Sequence, residues 1–133
     1  MKTNEELLQI AKDVAKEAYC PYSKFAVGAC ALYESEKIYS GCNVENSSYG
    51  LGICAERNAI STAIAMGEKS KLVKIAIYSP NTIRCVPCGA CRQWLQEFEQ
   101  GQDIEVIIED KDNTLTIYKL SELLPHSFNS NML

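Results

Sequence analysis

The sequence predicts an α/β layer sandwich, in which one sheet lies between layers of helices. Two observations lead to this fold class. Strand patterns and helix patterns alternate along the chain, and residues 72–78 and 104–108 are apolar almost throughout, as strands covered on both faces are. The length of 133 residues is close to the commonest size of one domain, so we expect a single domain over residues 1–133.

The first element is predicted to be an amphipathic helix. Apolar residues recur at helical spacing from Thr3 to about Tyr19, with charged residues between them. Thr3 and Glu6 have the spacing of a capping box, which marks the helix start. Pro21 cannot continue a helix, so we expect the helix to end before it.

The strands are predicted from short apolar runs that turn residues interrupt. They span residues 26–33, 37–42, 72–78, 104–108 and 115–118. The first two are expected to pair as a hairpin across residues 34–36. Residues 20–25 and 43–52 are expected to be loops, the second because it is rich in Asn, Ser and Gly.

Three further helical segments follow from the apolar spacing. The segment from Cys54 to Met66 is apolar over most of its girth, which predicts a buried central helix that Gly67 ends. The segment from Cys88 to Phe98 predicts a second helix, which Gly101 ends. A short helical turn is expected at residues 120–124, and the tail after it has no periodicity.

Composition narrows the function classes. No apolar run approaches the ~20 residues that span a bilayer, and the first residues lack the apolar core of a signal peptide, so we expect a cytoplasmic protein without membrane contact. The net charge of −4 and pI near 5.0 argue against nucleic-acid binding and favour a small neutral substrate. Seven cysteines without an export signal favour metal binding over disulfides.

Cys54, Cys88 and Cys91 have the composition of a zinc site with three protein ligands. Catalytic zinc sites keep the remaining position for water or substrate. The predicted helices from Cys54 and from Cys88 each begin at one of these cysteines, where the positive end of the helix dipole favours a thiolate. The spacing, with Pro87 before the second cysteine, is that of zinc-dependent nucleobase deaminases.

Two charged residues beside the first cysteine complete this hypothesis. Glu56 is the expected proton carrier, because a carboxylate near an activated water can accept its proton. For Glu56 and Cys54 to face one ion, Cys54 must lie at the helix cap, since helical residues two apart point in different directions. Arg57 is expected to reduce the negative charge on the sulfurs through hydrogen bonds to the thiolates. The alternative is that it is a surface arginine.

Other uses of the cysteines stay open at this point. They are a closed zinc knuckle that includes Cys85, an iron–sulfur cluster, or a redox Cys-x-x-Cys pair. The remaining three cysteines are expected to be small core residues: Cys20, Cys30 and Cys42.

Four motifs spread along the chain carry a family resemblance. They are Pro21–Ala29 (PYSKFAVGA), Gly41–Asn46 (GCNVEN), Ser48–Ala59 (SYGLGICAERNA) and Pro87–Gln93 (PCGACRQ). In these motifs the chain resembles the short, homotetrameric cytidine deaminases. The resemblance implies a three-layer sandwich with a five-stranded mixed sheet, and one zinc ion per subunit.

The resemblance also implies roles for the residues that line a nucleoside site. Asn43 and Glu45 would hydrogen-bond the 3′ hydroxyl of the ribose, and Phe25 would pack against the pyrimidine. The other substrate-binding positions are Ala55 and, from neighbouring subunits, Tyr49 and Phe128. His126-Ser127 replaces a common Gly-Ala pair before Phe128, so the tail path departs from the family there. From the residues alone, a solvated turn at residues 43–45 and a core aromatic at Phe25 remain alternatives.

The reaction implied is hydrolytic deamination of cytidine and deoxycytidine to uridine and deoxyuridine plus ammonia, in pyrimidine salvage. Glu56 would protonate N3 and later the leaving amine, while zinc activates the water that attacks C4. Glu45 would repel a phosphate, which favours a nucleoside over a nucleotide or polynucleotide. The alternatives are deamination of an aminonucleoside antibiotic, editing of RNA or DNA, and a non-catalytic zinc-stabilised module.

Overall fold

The computed structural model describes all residues from Met1 to Leu133. The five strands are β1 (Gly28–Tyr33), β2 (Ile38–Cys42), β3 (Leu72–Tyr78), β4 (Glu105–Glu109) and β5 (Leu115–Lys119). They form one sheet in the order β2-β1-β3-β4-β5. β3 and β4 pair in parallel and all other neighbours pair antiparallel, so the sheet is mixed. The predicted hairpin of β1 and β2 is confirmed.

Four helices cover the two faces of this sheet. They are α1 (Asn4–Ala15), α2 (Ala55–Ala65), α3 (Gly89–Gln96) and α4 (Leu120–Leu123). α1 packs on one face around Leu7, Leu32 and Ile107, whereas the larger core on the other face includes Ile60 of α2 and Leu95 of α3. The predicted three-layer α/β sandwich is therefore confirmed. None of the helices has the length and apolar character needed to cross a membrane.

The start of α1 agrees with the prediction from the sequence, but its end does not. Thr3 caps the helix, and the capping box with Glu6 is present. The helix ends at Ala15, so the predicted end near Tyr19 is wrong. Single turns follow, and the Tyr19 N–H then donates to the carbonyl of Asn43, 3.0 Å away. This long-range pairing draws the chain into an extended conformation before Pro21 is reached.

α2 lies close against the β2 strand because Gly41 has no side chain. A Cβ at Gly41 would lie 2.5 Å from the backbone nitrogen of Ala59 and 2.9 Å from the carbonyl oxygen of Ala55. Both atoms belong to the backbone of α2, so the contact cannot be relieved by turning a side chain. Gly67 ends the helix as predicted, with a φ of +88° that favours glycine.

The prediction that α2 is buried over most of its girth is wrong for the single chain. Ala59, Ile60 and Ala63 are fully buried, but Ile64 is 50% and Met66 72% exposed. One side of the helix therefore packs on the sheet, and the other presents apolar side chains to solvent. α3 is also shorter than predicted: it begins at Gly89 and ends at Gln96, and isolated turns continue the chain toward Gly101.

Candidate functional site

The three predicted metal ligands lie together. The Sγ atoms of Cys54, Cys88 and Cys91 are all within 4.8 Å of one another, and those of Cys54 and Cys88 are 4.0 Å apart. Two sulfurs that each lie ~2.3 Å from one tetrahedral ion would be about 3.8 Å apart. The cluster therefore has the donor type and spacing that a zinc ion requires, with three sulfur ligands and one remaining position.

The folding of the chain around the cluster explains why these sulfurs meet. Cys54 is the N-cap of α2 and Cys88 is the N-cap of α3, both with extended backbone, and Cys91 follows in the first turn of α3. Cys54 thus lies at the cap, as the sequence predicts. Two helix N-termini point toward the cluster, and their dipoles favour negative charge there.

A fourth sulfur does not join the cluster. Cys85 packs against the hydrophobic core, and burial raises the pKa of its thiol to about 12. The cysteines whose sulfurs lie within 4.8 Å of one another are Cys54, Cys88 and Cys91, and Cys85 is not among them. The closed zinc knuckle considered above therefore has no support in the structure.

Arg57 lies against the cluster. Its Nη2 donates to the Sγ of Cys54 at 3.7 Å and to the carbonyl of Gly52 at 3.3 Å. The neighbouring sulfur of Cys91, followed by the guanidinium of Arg57 and the sulfur of Cys88, lowers the pKa of Cys54 to about 5. The Nε of Arg57 is buried without a hydrogen-bond partner. The side chain therefore lies beside the cluster with one of its donors unused. This position suits a group that balances thiolate charge.

Glu56 is the most deeply buried carboxylate of the chain, with 5% of its surface exposed. Burial raises the pKa of Glu56 to about 7, and the neighbouring thiolate of Cys54 contributes in the same direction. Desolvation disfavours the charged form of a carboxylate, which brings its proton affinity close to that needed for proton transfer near neutral pH.

A cavity of about 470 Å³ opens beside the cluster. Its lining includes Cys54 together with Asn43, Glu45 and Tyr49, three of the predicted substrate-binding residues. The volume lies in the range of small-molecule sites. The structure thus brings residues from the loop before α2 next to one of the proposed metal ligands.

The carboxylate of Glu45 is held by the loop before β1. It accepts hydrogen bonds from the backbone N–H groups of Tyr22 at 3.0 Å and Ser23 at 3.1 Å, and from the Ser23 hydroxyl. Hydrogen bonds from Ser23, and then from Tyr22, lower the pKa of Glu45 below its ordinary value. Ser23 is a functional candidate that the sequence did not reveal, because its partner is 22 residues away.

The amide of Asn43 is also occupied within the chain. Its Nδ2 donates to the carbonyl of Phe25 at 2.8 Å, and its Oδ1 accepts from the N–H of Val27 at 2.8 Å. Asn43 therefore fixes the backbone on both sides of Ala26. The side chain of Phe25 remains 37% exposed, which argues against the alternative that it is a core aromatic.

The remaining predicted substrate residues differ in accessibility. Ala55 is fully buried at the start of α2. Tyr49 is 82% exposed, with its ring centroid 6.1 Å from that of Tyr22, and Phe128 is 57% exposed. Gln93 donates a 2.8 Å hydrogen bond to the carbonyl of Phe128, so the tail is tied to α3. Phe128 is not part of the lining of the 470 Å³ cavity of its own chain.

Comparisons with known proteins identify relatives over most of the chain. Residues 1–107 match the profile of the family described as "Cytidine and deoxycytidylate deaminase zinc-binding region". The cytidine deaminase of Sporosarcina psychrophila is 39% identical over 93% of this chain and 90% of the relative. That of Mycobacterium tuberculosis is 39% identical over 89% of this chain and 84% of the relative.

A solved structure shows the same architecture. The crystal structure of cytidine deaminase from Burkholderia pseudomallei is similar with a TM-score of 0.88 and 38% identity, over 96% of this chain and all of that chain. With its sequence matches, its fold and its three cysteines in agreement, the chain belongs to the zinc-binding cytidine and deoxycytidylate deaminase family.

Proposed function

We propose that this protein catalyses the hydrolytic deamination of cytidine and deoxycytidine, with release of ammonia, as a step of pyrimidine salvage. The observation that supports it most is the buried carboxylate of Glu56, beside a three-sulfur cluster that has one position left for a non-protein ligand. A structural zinc site would need no such carboxylate and would be closed by a fourth ligand. The names of the relatives agree with this function.

Cys54, Cys88 and Cys91 would hold the zinc ion. A zinc ion in such a site supplies Lewis-acid activation of water. Glu56 accepts a proton from the attacking water and delivers it to N3 of the pyrimidine. It then takes the proton of the new hydroxyl group on C4 and delivers it to the amine, so that the C4–N bond breaks, ammonia leaves and the C4 carbonyl of uridine forms. Water and cytidine are consumed, and uridine and ammonia are formed.

Recognition of the sugar is assigned to the cavity beside Cys54. Asn43 and Glu45 line it, and both are already fixed by hydrogen bonds to the segment that includes Phe25. A fixed carboxylate is an acceptor for a ribose hydroxyl and would repel a phosphate group at the same place. The proposed substrate is therefore a nucleoside, with Phe25 against the base and Ala55 beside it.

We further propose that the chain, a single catalytic domain, assembles as a homotetramer. Large apolar side chains are exposed on and before α2, among them Ile64 and Met66 with Tyr49 and Leu51. A second copy that covers this surface would remove apolar area from water. Tyr49 and Phe128, which are exposed in the single chain, would then complete sites of neighbouring subunits.

The direct test is to follow ammonia release and the loss of ultraviolet absorbance with cytidine and deoxycytidine. Cytidine 5′-monophosphate and an aminonucleoside antibiotic serve as comparison substrates. We expect turnover of both nucleosides and little turnover of the nucleotide. Much faster conversion of the antibiotic would contradict the assignment to salvage.

The Glu56→Gln variant separates an enzyme from a zinc-stabilised module. It preserves the size of the side chain, so the fold and zinc content are expected to remain while deamination falls by at least about a hundredfold. Metal analysis and the nucleoside assay on the same sample provide both values. Deamination at the wild-type rate would show that Glu56 is not the proton carrier.

A further inference from the structure

The backbone N–H groups immediately before β1 are held by side chains, while the carbonyl of Val27 accepts a 3.2 Å hydrogen bond from the N–H of Asn43. Three consecutive N–H groups donate to side-chain oxygens that come from three parts of the chain. The pairs are Phe25 to Ser23 Oγ at 3.0 Å, Ala26 to Asn81 Oδ1 at 2.9 Å, and Val27 to Asn43 Oδ1 at 2.8 Å. The segment that presents Phe25 therefore depends on these acceptors for its conformation.

Asn81 differs from the other two acceptors in its location. It follows β3, in the segment that leads to Cys88, and its bond to Ala26 spans 55 positions of the sequence. The N–H of Asn81 donates to the Oγ of Ser79 at 3.1 Å, and Ser79 is only 2% exposed. The backbone of Asn81 is thus bonded to a buried residue, and its side chain bonds to the N–H of Ala26.

We propose that Asn81 is a positioning residue for nucleoside binding, which acts by fixing the backbone next to Phe25. The inference rests on the proposed function, in which Phe25 packs against the pyrimidine. Asn81 links that aromatic residue to the segment that carries the metal ligand Cys88. The hydrogen bond from Ala26 to Asn81 therefore connects the segment that presents Phe25 with the segment that leads to Cys88.

The kinetic consequence follows from what Phe25 contacts. The ring of Phe25 would pack against the base both in the bound substrate and in the transition state. Its displacement therefore weakens the binding of substrate and of transition state by similar amounts. Such a loss raises KM and leaves kcat nearly unchanged. The loss of one hydrogen bond between neutral groups corresponds to about a fivefold change in an equilibrium constant.

The test compares three variants of the full-length, zinc-loaded protein. Asn81→Ala removes the acceptor, Asn81→Asp retains an oxygen at the same place, and Thr82→Ala is the matched control in the same loop. The hydroxyl of Thr82 bonds only to the carbonyl of the adjacent Ile83, so its loss leaves the Ala26 contact intact. KM and kcat for cytidine, zinc content, and hydrogen exchange of the Ala26 amide are measured for each.

For Asn81→Ala we expect a KM about fivefold higher, a kcat within twofold of wild type, unchanged zinc content, and faster exchange of the Ala26 amide. Asn81→Asp is expected to restore KM and protection, and Thr82→Ala to match the wild type. An unchanged KM in Asn81→Ala, or a loss of zinc with an equal fall in kcat, would overturn the proposal. So would unchanged protection of Ala26.

Failure of the proposed function would have a different signature. A wild-type protein that does not convert cytidine would refute the deaminase assignment and, with it, the role of Asn81 in nucleoside binding. Exchange of the Ala26 amide would still show whether Asn81 fixes this segment. A wild type that converts cytidine while Asn81→Ala has an unchanged KM refutes the positioning role alone.

Discussion

Arg57 illustrates how a single charge can tune the site. Three thiolates around a divalent cation give the cluster a net charge of −1, which would make the metal a weaker acid. The guanidinium of Arg57 lies 3.7 Å from the Sγ of Cys54 and, after Cys91, is the next group that lowers the pKa of that thiol. Partners of metal ligands commonly contribute tenfold to a hundredfold to affinity or activity.

Replacement of Arg57 by Ala is therefore expected to lower kcat by about tenfold or more, and to weaken zinc binding. Arg57→Lys keeps the charge but loses the planar fork, so an intermediate effect is expected. Steady-state kinetics and competition with a zinc chelator provide the two values. A kcat of Arg57→Ala equal to that of the wild type would mean that the arginine is only a surface residue.

Glu68 is a second residue whose charge can be tested, here through stability. It accepts hydrogen bonds from Ser35, Ser70 and Tyr39, and joins the turn after β1 to the segment before β3. The bonds from Ser35 and Ser70 lower the pKa of Glu68 from 4.5 to about 2. A lowered carboxylate pKa stabilises the fold above the unfolded-state value, and this contribution is lost as the pH falls through the folded-state value.

We expect Glu68→Gln to be less stable than the wild type at pH 6. The difference should shrink as the pH falls from about 4.5 toward about 2, because the wild-type carboxylate then becomes neutral as well. Urea unfolding of both proteins at pH 6, 4 and 3 measures this. A stability difference that is constant over this range would show that the charge of Glu68 contributes nothing.

Sequence reasoning at the residue scale succeeded where the chemistry is local. Cys88 and Cys91 are three positions apart and Glu56 is two positions from Cys54, and this spacing, with Pro87, matches the signature of zinc-dependent nucleobase deaminases. Ser23 and Asn81 could not be found in this way. Their partners are defined by the folded backbone, and a serine or asparagine in a loop is usually explained by turn formation.

At the scale of elements, the contact of α2 with β2 places Cys54. Gly41 allows the backbone of α2 to approach the strand, since a Cβ there would overlap two backbone atoms of the helix. Cys54 caps the same helix. Any displacement of α2 therefore moves one proposed metal ligand relative to the two at the start of α3.

Gly41→Ala is accordingly expected to destabilise the fold by about 1–3 kcal/mol, as overpacking does, and to weaken zinc binding. Gly50→Ala is the matched control for stability, because a Cβ at Gly50 meets nothing within 4 Å. Thermal unfolding and zinc competition are the measurements. If Gly41→Ala unfolds at the same temperature as Gly50→Ala, the close approach of α2 to β2 at Gly41 does not contribute to stability.

The types of all main elements were predictable, whereas several of their ends were not. β3 spans Leu72–Tyr78 as its apolar run predicted. α1 ended four residues early, since Tyr19 pairs with the Asn43–Glu45 segment, and β1 began at Gly28 instead of Ala26. In both cases a long-range partner competes with the local pattern, and periodicity contains no information on that partner.

At the scale of the whole molecule, the exposed side of α2 explains the one large error of the sequence analysis. The apolar girth of α2 predicted burial, but Ile64 is half exposed in the single chain. If four chains assemble as proposed, the same apolar pattern is accounted for by contact between subunits. Periodicity identifies apolar surface, but it does not tell whether its own chain or another chain covers it.

Ile64→Glu is expected to break the proposed homotetramer into smaller species, because it places a charge in an apolar contact. Zinc content should be retained, while activity falls if neighbouring subunits complete the site. Ile117→Glu is the control, since Ile117 is similarly exposed, at 44%, on β5. Light scattering coupled to size exclusion gives the mass. A wild-type protein that is monomeric at assay concentrations would contradict the assembly.

In the proposed mechanism, one zinc ion held by Cys54, Cys88 and Cys91 is required for nucleoside deamination. The most direct measurement is zinc content and cytidine turnover of one sample before chelation, after chelation, and after zinc is restored. We expect one zinc per chain, loss of turnover when the metal is removed, and recovery of turnover with added zinc. Turnover at the original rate by protein from which the metal has been removed would contradict it.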